Sequence, residues 1–181
     1  VDAFCALKPR GWKLVLAGGV SDTKSFTSQL LEKIATNRNI VFAGELRGAR
    51  LAEIVRGAGL FVLPSDVEGL PLAMLEAMRE GIPVVASNIA PHQQLIGGGQ
   101  GMLFEAGNLD SCIRSLDWAI NHQEEMATMA KNAQRHVQLN YSWDRITSET
   151  LKLYSTLLNF PETVGISQSA STGIAEVFGK K

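Results

Sequence analysis

The sequence lacks the features that mark nucleic-acid-binding, membrane-spanning and disulfide-rich proteins. Its net charge is -1 and no run is rich in Lys and Arg, which argues against a nucleic-acid partner. Cys5 and Cys112 lie far apart without the spacing of a zinc site, so a disulfide framework is not expected and a reducing compartment fits best. The longest apolar runs, around residues 14–17 and 60–63, are too short to span a membrane.

The composition is that of one ordinary globular domain. The chain has 181 residues, of which 45% are hydrophobic and 19% charged. A domain of this size buries roughly 70% of the surface that its unfolded chain exposes, so a substantial core is possible. The chain begins at Val1 without a signal-peptide pattern, and we interpret it as an excised fragment or a processed product.

Short apolar runs alternate with stretches of helical period. Five runs predict strands: Lys13–Ala17, Ile40–Ala43, Leu60–Leu63, Ile82–Ala86 and Met102–Phe104. Between them, four stretches predict helices: Ser25–Ala35, Leu51–Ala58, Pro71–Glu80 and Asp110–Asn121. The runs do not alternate with polar residues, as expected of strands buried on both faces. This order predicts an α/β fold with a Rossmann-like, doubly wound parallel sheet.

The remaining sequence predicts helices and then a tail. Glu124–Leu139 and Trp143–Leu158 have amphipathic periods that predict two C-terminal helices. Residues 159–181 are rich in Ser, Thr and Gly without a sustained period, and we interpret them as a loose tail. The predicted domain therefore covers residues 1–158.

The stretch PSDVEGLPLAMLEAMREGIPVVAS, residues 64–87, carries the chemistry. Its loop, Pro64 to Gly69, leaves the carboxyl end of a predicted buried strand, where ligands bind in open α/β sheets. We expect the first turn of the following helix to include Leu70 and Pro71, so that its free N–H groups and positive dipole end favour phosphate. Gly69 removes a side chain where a ligand would approach the backbone.

Two carboxylates, Glu68 and Glu76, flank this helix start. Carboxylates repel phosphate, but they accept hydrogen bonds from sugar and ribose hydroxyls. An anion site beside two hydroxyl acceptors describes a nucleotide-sugar pocket. Glu76 follows Pro71 by five residues, a rise of roughly 7–8 Å along a helix, which matches the ribose-to-sugar separation only loosely.

Each carboxylate also has a purely structural interpretation. Glu68 could be a helix-start acid that the dipole favours, and Glu76 could pair with Arg79 at i, i+3, a contact worth a few tenths of a kcal/mol. Against the second interpretation, Glu76 lies close to Leu72 and Leu75 on the helical wheel. We therefore expect its carboxylate to be partly buried and to need a partner.

Residues 64–87 resemble the signature of the retaining GT-B glycosyltransferases known as "glycosyl transferases group 1". That signature is Pro-Ser, then Glu-Gly-apolar-Pro, a second Glu after seven intervening residues, then Ala-Met and Gly-x-Pro-Val-Val-Ala. The similarity extends from about Trp12 to Leu158 and includes LVLAGG, IVFAGEL, AGLFVLPS, GMLFEAGN and YSW. The resemblance implies the C-terminal, donor-binding half of a GT-B fold, truncated at its N-terminal end.

The resemblance also implies roles for individual residues. Glu68 would lie against the donor sugar as the candidate catalytic residue, and Glu76 would bind the ribose hydroxyls. The backbone after Glu68 would hold phosphate and sugar, and two glycine-containing loops would meet the nucleobase and flank the pocket. The implied binding positions are Ser65, Gly69, Leu70, Pro71, Glu76, Gly18, Gly19, Gly44, Glu45 and Leu46. For the loops at Gly18–Gly19 and Gly44–Leu46, plain strand-ending turns remain an alternative.

Several positions depart from the family pattern. Members normally begin this domain with a strand ending in Gly-Arg, followed by a Lys, and the two cations neutralise the diphosphate. Residues 1–11 supply neither, because Lys8 and Arg10 precede the wrong strand. Gln94 stands where Glu is common, and Arg79 where Ala is common. Because the acceptor-binding N-terminal domain is also missing, we expect this chain alone to be inactive or nearly so.

The missing strand has a structural consequence. In the family's strand order it is central, between the strands predicted at Lys13–Ala17 and Leu60–Leu63, and its absence leaves two unpaired edges. We expect another segment to fill this position. The candidates are the tail around Val164–Ile166 and a strand of a second copy, which would produce self-association.

The resemblance implies transfer of a sugar from a nucleoside-diphosphate sugar to a hydroxyl acceptor, with retention, in polysaccharide biosynthesis. No metal or other cofactor is expected, since this fold uses a helix dipole and basic side chains instead. The implied partners are the nucleotide sugar and the N-terminal acceptor domain. A cytoplasmic location is expected, with the inner membrane face as an alternative for the full-length protein. The alternatives are a non-catalytic nucleotide-binding module, an epimerase or phosphorylase on the GT-B scaffold, and a structural scaffold; fold alone decides none of them.

Overall fold

A computed structural model describes residues 1–19 and 24–158, which form two structural units. The first unit ends at Ser142, and the second begins at Trp143. In chain order the first unit contains α1 (Asp2–Leu7), β1 (Leu14–Ala17), α2 (Lys24–Ile34), β2 (Ile40–Gly44), α3 (Gly48–Arg56), β3 (Phe61–Leu63), α4 (Leu72–Arg79), β4 (Val84–Ser87), α5 (Ala90–Ile96), β5 (Met102–Phe104), α6 (Leu109–Asn121) and α7 (Gln123–Asn140). The second unit contains α8 (Trp143–Leu158), the helix that the sequence predicts there.

The strands form two parallel sheets. One has the order β1-β2 and the other β3-β4-β5, with every pair parallel. The α/β class with parallel strands is confirmed, and all five predicted strands occur with their ends displaced by at most two residues. α5 was not predicted as a separate helix from the sequence.

β4 is the centre of the core. All four of its residues are buried, and successive side chains enter opposite apolar clusters. Val84 and Ala86 belong to a cluster with residues of α4, α5 and the second half of α7. Val85 belongs to a second cluster with residues of α1, β5, α6 and the start of α7. Helices therefore cover both faces of this strand, as a doubly wound sheet requires.

The prediction that every strand is buried on both faces is wrong for β1 and β2. Val15 and Val41 are partners in the parallel register, and their exposed fractions are 41% and 44%. Both side chains point to the same face of the two-stranded sheet. Within the described residues no segment covers that face, whereas helices cover both faces of β4. The uninterrupted apolar composition of β1 and β2 therefore led to a wrong prediction of their burial.

β1 and β3 do not pair within residues 1–19 and 24–158, so each of these strands has one edge without a backbone partner there. This is the position at which the sequence predicts a missing strand, and the identity of that strand stays a prediction. At their amino ends the two strands are linked by packing. The Trp12 indole lies 3.1 Å from where a Cβ on Gly59 would be, so a larger residue at Gly59 would have to displace the ring.

The proposed occupants of this position are outside the described structure. The predicted tail, 159–181, and its segment Val164–Ile166 lie beyond the described residues. Self-association through the strand edges therefore stays a prediction. Among the described helices, none has the length and apolar character needed to cross a membrane.

We predict that Met78→Ala destabilises the first unit by about 2–5 kcal/mol, because the side chain is fully buried and its truncation leaves a cavity. Leu72→Ala on the same helix is the matched control, because Leu72 is 64% exposed, and its effect should be within about 0.5 kcal/mol. Urea unfolding followed by circular dichroism measures both. Equal losses for the two variants would contradict the assignment of α4's buried face.

Candidate functional site

The loop after β3 holds Glu68 in place. The Ser65 hydroxyl donates a hydrogen bond to Oε1 of Glu68 at 2.7 Å, and both residues are half-buried. The Ser87 hydroxyl, at the end of β4, donates to the carbonyl oxygen of Ser65. The carboxyl ends of two neighbouring strands are therefore joined beneath this loop. Glu68 does not cap the following helix, so the interpretation of it as a helix-start acid is not supported.

α4 begins at Leu72, so the prediction that Leu70 and Pro71 lie in its first turn is wrong. Pro71 is the N-cap, with φ -76° and ψ 85°, and it is buried. The reason is steric, because a proline disfavours the helical conformation in the residue before it, here Leu70. Among the described residues, no side chain caps the start of α4, and a Cβ on Gly69 would meet nothing within 4 Å. The backbone at Gly69, just before this uncapped helix start, therefore has open space beside it.

Glu76 is exposed, so the prediction that it is partly buried is wrong. The helical wheel placed it near Leu72 and Leu75, but only Leu75 of these two faces the core. The buried face of α4 consists of Met74, Leu75, Ala77 and Met78. The alternative pairing with Arg79 does not form, since Arg79 bonds the Glu80 carboxylate instead, at 3.1 Å. Among the described residues the Glu76 carboxylate makes no ion pair.

Glu76 lines a cavity of about 240 Å³ between α3 and α4, called the Glu76 cavity below. Its lining residues are Gly48, Leu51, Ala52, Val55, Glu76, Arg79 and Glu80. Arg56 of α3 joins the two helices at this cavity through a hydrogen bond from its Nε to Oε2 of Glu80 at 2.8 Å. Small-molecule pockets typically measure about 300–1,000 Å³, so this cavity suits part of a nucleotide sugar rather than the whole.

The two glycine-containing loops lie beside one another. The Gly18 amide donates to the Gly44 carbonyl at 2.9 Å, where the ladder between β1 and β2 becomes irregular. Gly44 has a φ of 68°, which favours glycine. A Cβ on Gly19 would lie 3.8 Å from the Glu45 carboxylate, which itself accepts a hydrogen bond from Arg47 Nε at 2.9 Å.

The structure assembles the predicted residues into neighbouring groups rather than into one pocket. The Glu76 cavity has α3 as one wall, and α3 follows directly from the loop Gly44–Leu46, with Gly48 in the lining. Leu46 is half-buried, and Leu70 is 54% exposed. Glu68 does not line this cavity, so the two carboxylates do not share one enclosed space.

A larger cavity, about 350 Å³, lies elsewhere. It is lined by Phe4, Cys5, Lys8, Pro9, Asn37 and Asn39. Asn39 directly precedes β2, so this cavity is at the amino ends of the strands, opposite to the edge where ligands of α/β sheets bind. We therefore favour the region of Glu68 and the Glu76 cavity as the candidate site, although the larger cavity lies at the amino ends of the strands.

Sequence reasoning missed two sets of polar contacts. One is the group of Arg56 and Glu80, whose members are 24 residues apart and meet only when α3 packs beside α4. The other is His92, which is fully buried on α5 and places its Nδ1 2.8 Å from the Ser87 carbonyl. Ser87 ends the recognised signature, but a single buried histidine on an unpredicted helix has no sequence pattern of its own.

Within the described ranges, no three His, Cys, Asp or Glu side chains are grouped so that they could hold a metal ion. The expectation that no metal takes part is not tested by this and stays a prediction.

The fold defines an α/β protein with parallel strands, and the sequence assigns it to a family. The family model described as "Glycosyl transferases group 1" matches residues 1–136. The chain belongs to the glycosyl transferases group 1 family.

Named relatives are similar over most of this chain. It is 34% identical over 125 residues to sulfoquinovosyl transferase SQD2 of Arabidopsis thaliana, covering 66% of this chain and 24% of that protein. It is 27% identical over 167 residues to the lipopolysaccharide core biosynthesis mannosyltransferase LpsB of Rhizobium meliloti, covering 87% and 47%. The chain thus spans between a quarter and a half of the length of these relatives.

Solved structures share the fold. Anabaena HepE in complex with UDP-glucose matches with a TM-score of 0.77 at 21% identity, over 86% of this chain and 43% of that one. The C-terminal domain of the group 1 family protein LpcC from Francisella tularensis matches with a TM-score of 0.66 at 23% identity, over 78% and 77%. The Rossmann-like fold class is therefore confirmed.

The ion pairs of Glu80 generate a pH-dependent prediction. Hydrogen bonds from Arg56 and then Arg79 hold the pKa of Glu80 below its ordinary value of 4.5, because they favour the carboxylate. A lowered pKa in the folded state gives stability that is present above the unfolded pKa and is lost as the pH falls through the folded pKa. Glu80→Gln should therefore lower stability at pH 7, and the difference from wild type should shrink below pH 4.5.

Urea unfolding at neutral and acidic pH measures this difference. Glu53→Gln is the control, because Glu53 is exposed on α3 and makes no ion pair in the described part of the chain. A Glu80→Gln deficit that is the same at both pH values would contradict the ion-pair explanation.

Proposed function

We propose that this chain is the donor-binding half of a glycosyltransferase that moves a sugar from a nucleoside-diphosphate sugar to a hydroxyl acceptor with retention. One arrangement carries the proposal: within the described residues, the start of α4 beside Gly69 has no side-chain cap, and the carboxylate of Glu76, four residues after Leu72, makes no ion pair. Family membership and the names of the relatives support the sugar-transfer chemistry. The resemblance in residues 64–87 supports retention.

The start of α4 would bind the diphosphate. No side chain of residues 1–19 or 24–158 caps this helix start, and the helix dipole places partial positive charge there. Gly69 presents backbone without a side chain, and the space around it is open. Phosphate oxygens could therefore approach the backbone between Gly69 and Leu72 without displacing a protein group.

The two carboxylates would bind hydroxyl groups on either side of the diphosphate. The hydrogen bond from Ser65 orients Glu68 and leaves its other oxygen for a donor-sugar hydroxyl. Glu76 lines a cavity that suits a ribose, and a carboxylate accepting two hydroxyl protons forms charge-assisted hydrogen bonds. The loop Gly44–Leu46, which leads into α3 beside this cavity, would meet the nucleobase.

Catalysis would depend on positioning and on charge stabilisation. In the retaining mechanism that the resemblance implies, the leaving phosphate assists the incoming hydroxyl on the same face of the sugar. The protein then has to hold the donor and stabilise the diphosphate. We propose that this requires no metal and takes place in the cytoplasm, and that the acceptor binds to a further domain, as the greater length of the relatives suggests.

We predict that Glu76→Ala weakens nucleotide binding about tenfold to a hundredfold, the equivalent of losing hydrogen bonds to a charged acceptor. Calorimetric titration with UDP, GDP and ADP, each with and without EDTA, measures the affinity and the base preference. Glu53→Ala on α3 is the matched control, because Glu53 is exposed and does not line the cavity. If wild type binds none of the three nucleotides, the proposed donor site is wrong and only a scaffold role remains.

We predict that the purified 181-residue chain transfers no measurable sugar even where it binds nucleotide. The family's two diphosphate-binding cations do not occur in residues 1–11, and a lost transition-state donor costs about 10²–10³-fold in rate. Transfer from a radiolabelled nucleotide sugar measures this, with a version extended by the upstream protein sequence as the positive control. Activity of the 181-residue chain would contradict the prediction, whereas binding without activity in the extended version would favour a non-catalytic module.

A further inference from the structure

Three hydrogen bonds connect His92 of α5 to Glu68 through Ser87 and Ser65. This series of residues is called the polar chain below. The Nδ1 of His92 lies 2.8 Å from the Ser87 carbonyl oxygen. The Ser87 hydroxyl donates to the Ser65 carbonyl oxygen, and the Ser65 hydroxyl donates to Glu68 at 2.7 Å. The polar chain thus joins a buried residue of the core to the carboxylate that faces the candidate donor site.

The direction of each bond follows from chemistry. Carbonyl oxygens only accept, so Nδ1 of His92 must carry the proton that it donates to Ser87. The Ser87 hydroxyl is also 3.3 Å from this Nδ1, and its own proton is directed to Ser65. In each of the three bonds the acceptor is therefore one step closer to Glu68 than the donor, and the Glu68 carboxylate is the last acceptor.

Burying the polar ring of His92 costs free energy, which a functional hydrogen bond from its N–H would explain. The residue is 0% exposed, and its other ring nitrogen, Nε2, is buried without a hydrogen-bond partner among the described residues. Its neighbours on α5, Leu95 and Ile96, belong to the apolar core. A leucine would fill this space without burying an unpaired nitrogen, so packing alone does not explain a histidine here.

The contact that His92 makes is at the turn from β4 into α5. The Ser87 carbonyl also accepts from the Ile89 amide at 3.0 Å, so two donors fix the peptide after Ser87. Ser87 itself is 1% exposed, and its hydroxyl is the link to the β3 loop. Rotation of this turn would move the hydroxyl away from Ser65 and release the loop that carries Glu68.

We propose that His92 is a positioning residue of the donor site, which acts through Ser87 and Ser65 to hold Glu68 and the backbone of residues 65–70. This inference rests on the proposed function of that site. His92 itself is too deeply buried to contact a ligand. Its effect is to keep the loop in one conformation before the donor binds, which lowers the cost of ordering the site.

The variants His92→Asn and His92→Leu distinguish the effect of the N–H donor from the effect of side-chain volume. The amide nitrogen of asparagine is attached to Cγ, as Nδ1 is, so His92→Asn retains a donor toward Ser87, whereas His92→Leu has none. Leu95→Ala is the control for a general loss of stability, because Leu95 is buried on the same helix but outside the polar chain. Ser87→Ala removes the next hydroxyl with little change in volume, and it serves if His92→Leu does not fold.

Two measurements on the 181-residue chain test the proposal. The first is amide hydrogen exchange of residues 65–70, which needs no ligand. The second is the affinity for UDP, GDP, ADP and UDP-glucose. His92→Leu and Ser87→Ala should each speed exchange in this loop and weaken binding roughly tenfold, the scale of one lost hydrogen bond. His92→Asn should stay within about threefold of wild type on the same scale. Leu95→Ala should lower the melting temperature without a selective effect on the loop.

The outcomes are distinguishable. If His92→Leu and Ser87→Ala leave loop exchange unchanged, if Leu95→Ala speeds it as much, or if folded His92→Asn behaves as His92→Leu does, His92 has only a structural role and the inference is wrong. If wild type binds none of the four ligands, the proposed function fails, and loop exchange still decides whether the polar chain holds residues 65–70.

Discussion

The burial of β4 between two apolar clusters is the constraint on which the candidate site depends. Val84 and Ala86 are fixed on one side and Val85 on the other, so the strand cannot shift or rotate without opening the core. The strand therefore anchors its last residue, Ser87, from one side, and the contact from His92 holds the peptide that follows it. The loop after β3 is tied to Ser87 through Ser65, and α4 begins a few residues later. A rigid sheet edge thus sets the position of Glu68.

Charge at the site is arranged around carboxylates rather than cations. Arg79, which lines the Glu76 cavity, and Arg56 of α3 both bond the Glu80 carboxylate. Arg47 is engaged in the same way by Glu45. A diphosphate at the start of α4 would therefore meet backbone amides and the helix dipole, while these cations stay occupied. This distribution of charge suits the binding of hydroxyl groups and leaves part of the diphosphate's charge for other groups to neutralise.

Much of the architecture could be predicted from the sequence because it depends on local patterns. Uninterrupted apolar runs located all five strands, and the proline and glycine of the signature marked the loop before α4. Errors arose where neighbours in space decide. Val15 is as apolar as Val85, yet one is exposed and the other buried, because helices cover both faces of β4 but not both faces of β1. Glu76 was expected among apolar neighbours, but the core lies on the other side of its helix.

The sequence alone determined the fold class, the family and the residue types at the candidate site, because alternation of strands and helices and an ordered signature are properties of neighbouring residues. Only the tertiary structure decided which of these residues meet. It brought α3 and α4 together around Glu76, joined Arg56 to Glu80, and connected His92 to Glu68 through two serines. The hydrogen bonds from Arg56 to Glu80 and from Ser87 to Ser65 link residues more than twenty positions apart. Hydrogen bonds of that kind have no period along the chain, because their geometry is set by how the core packs.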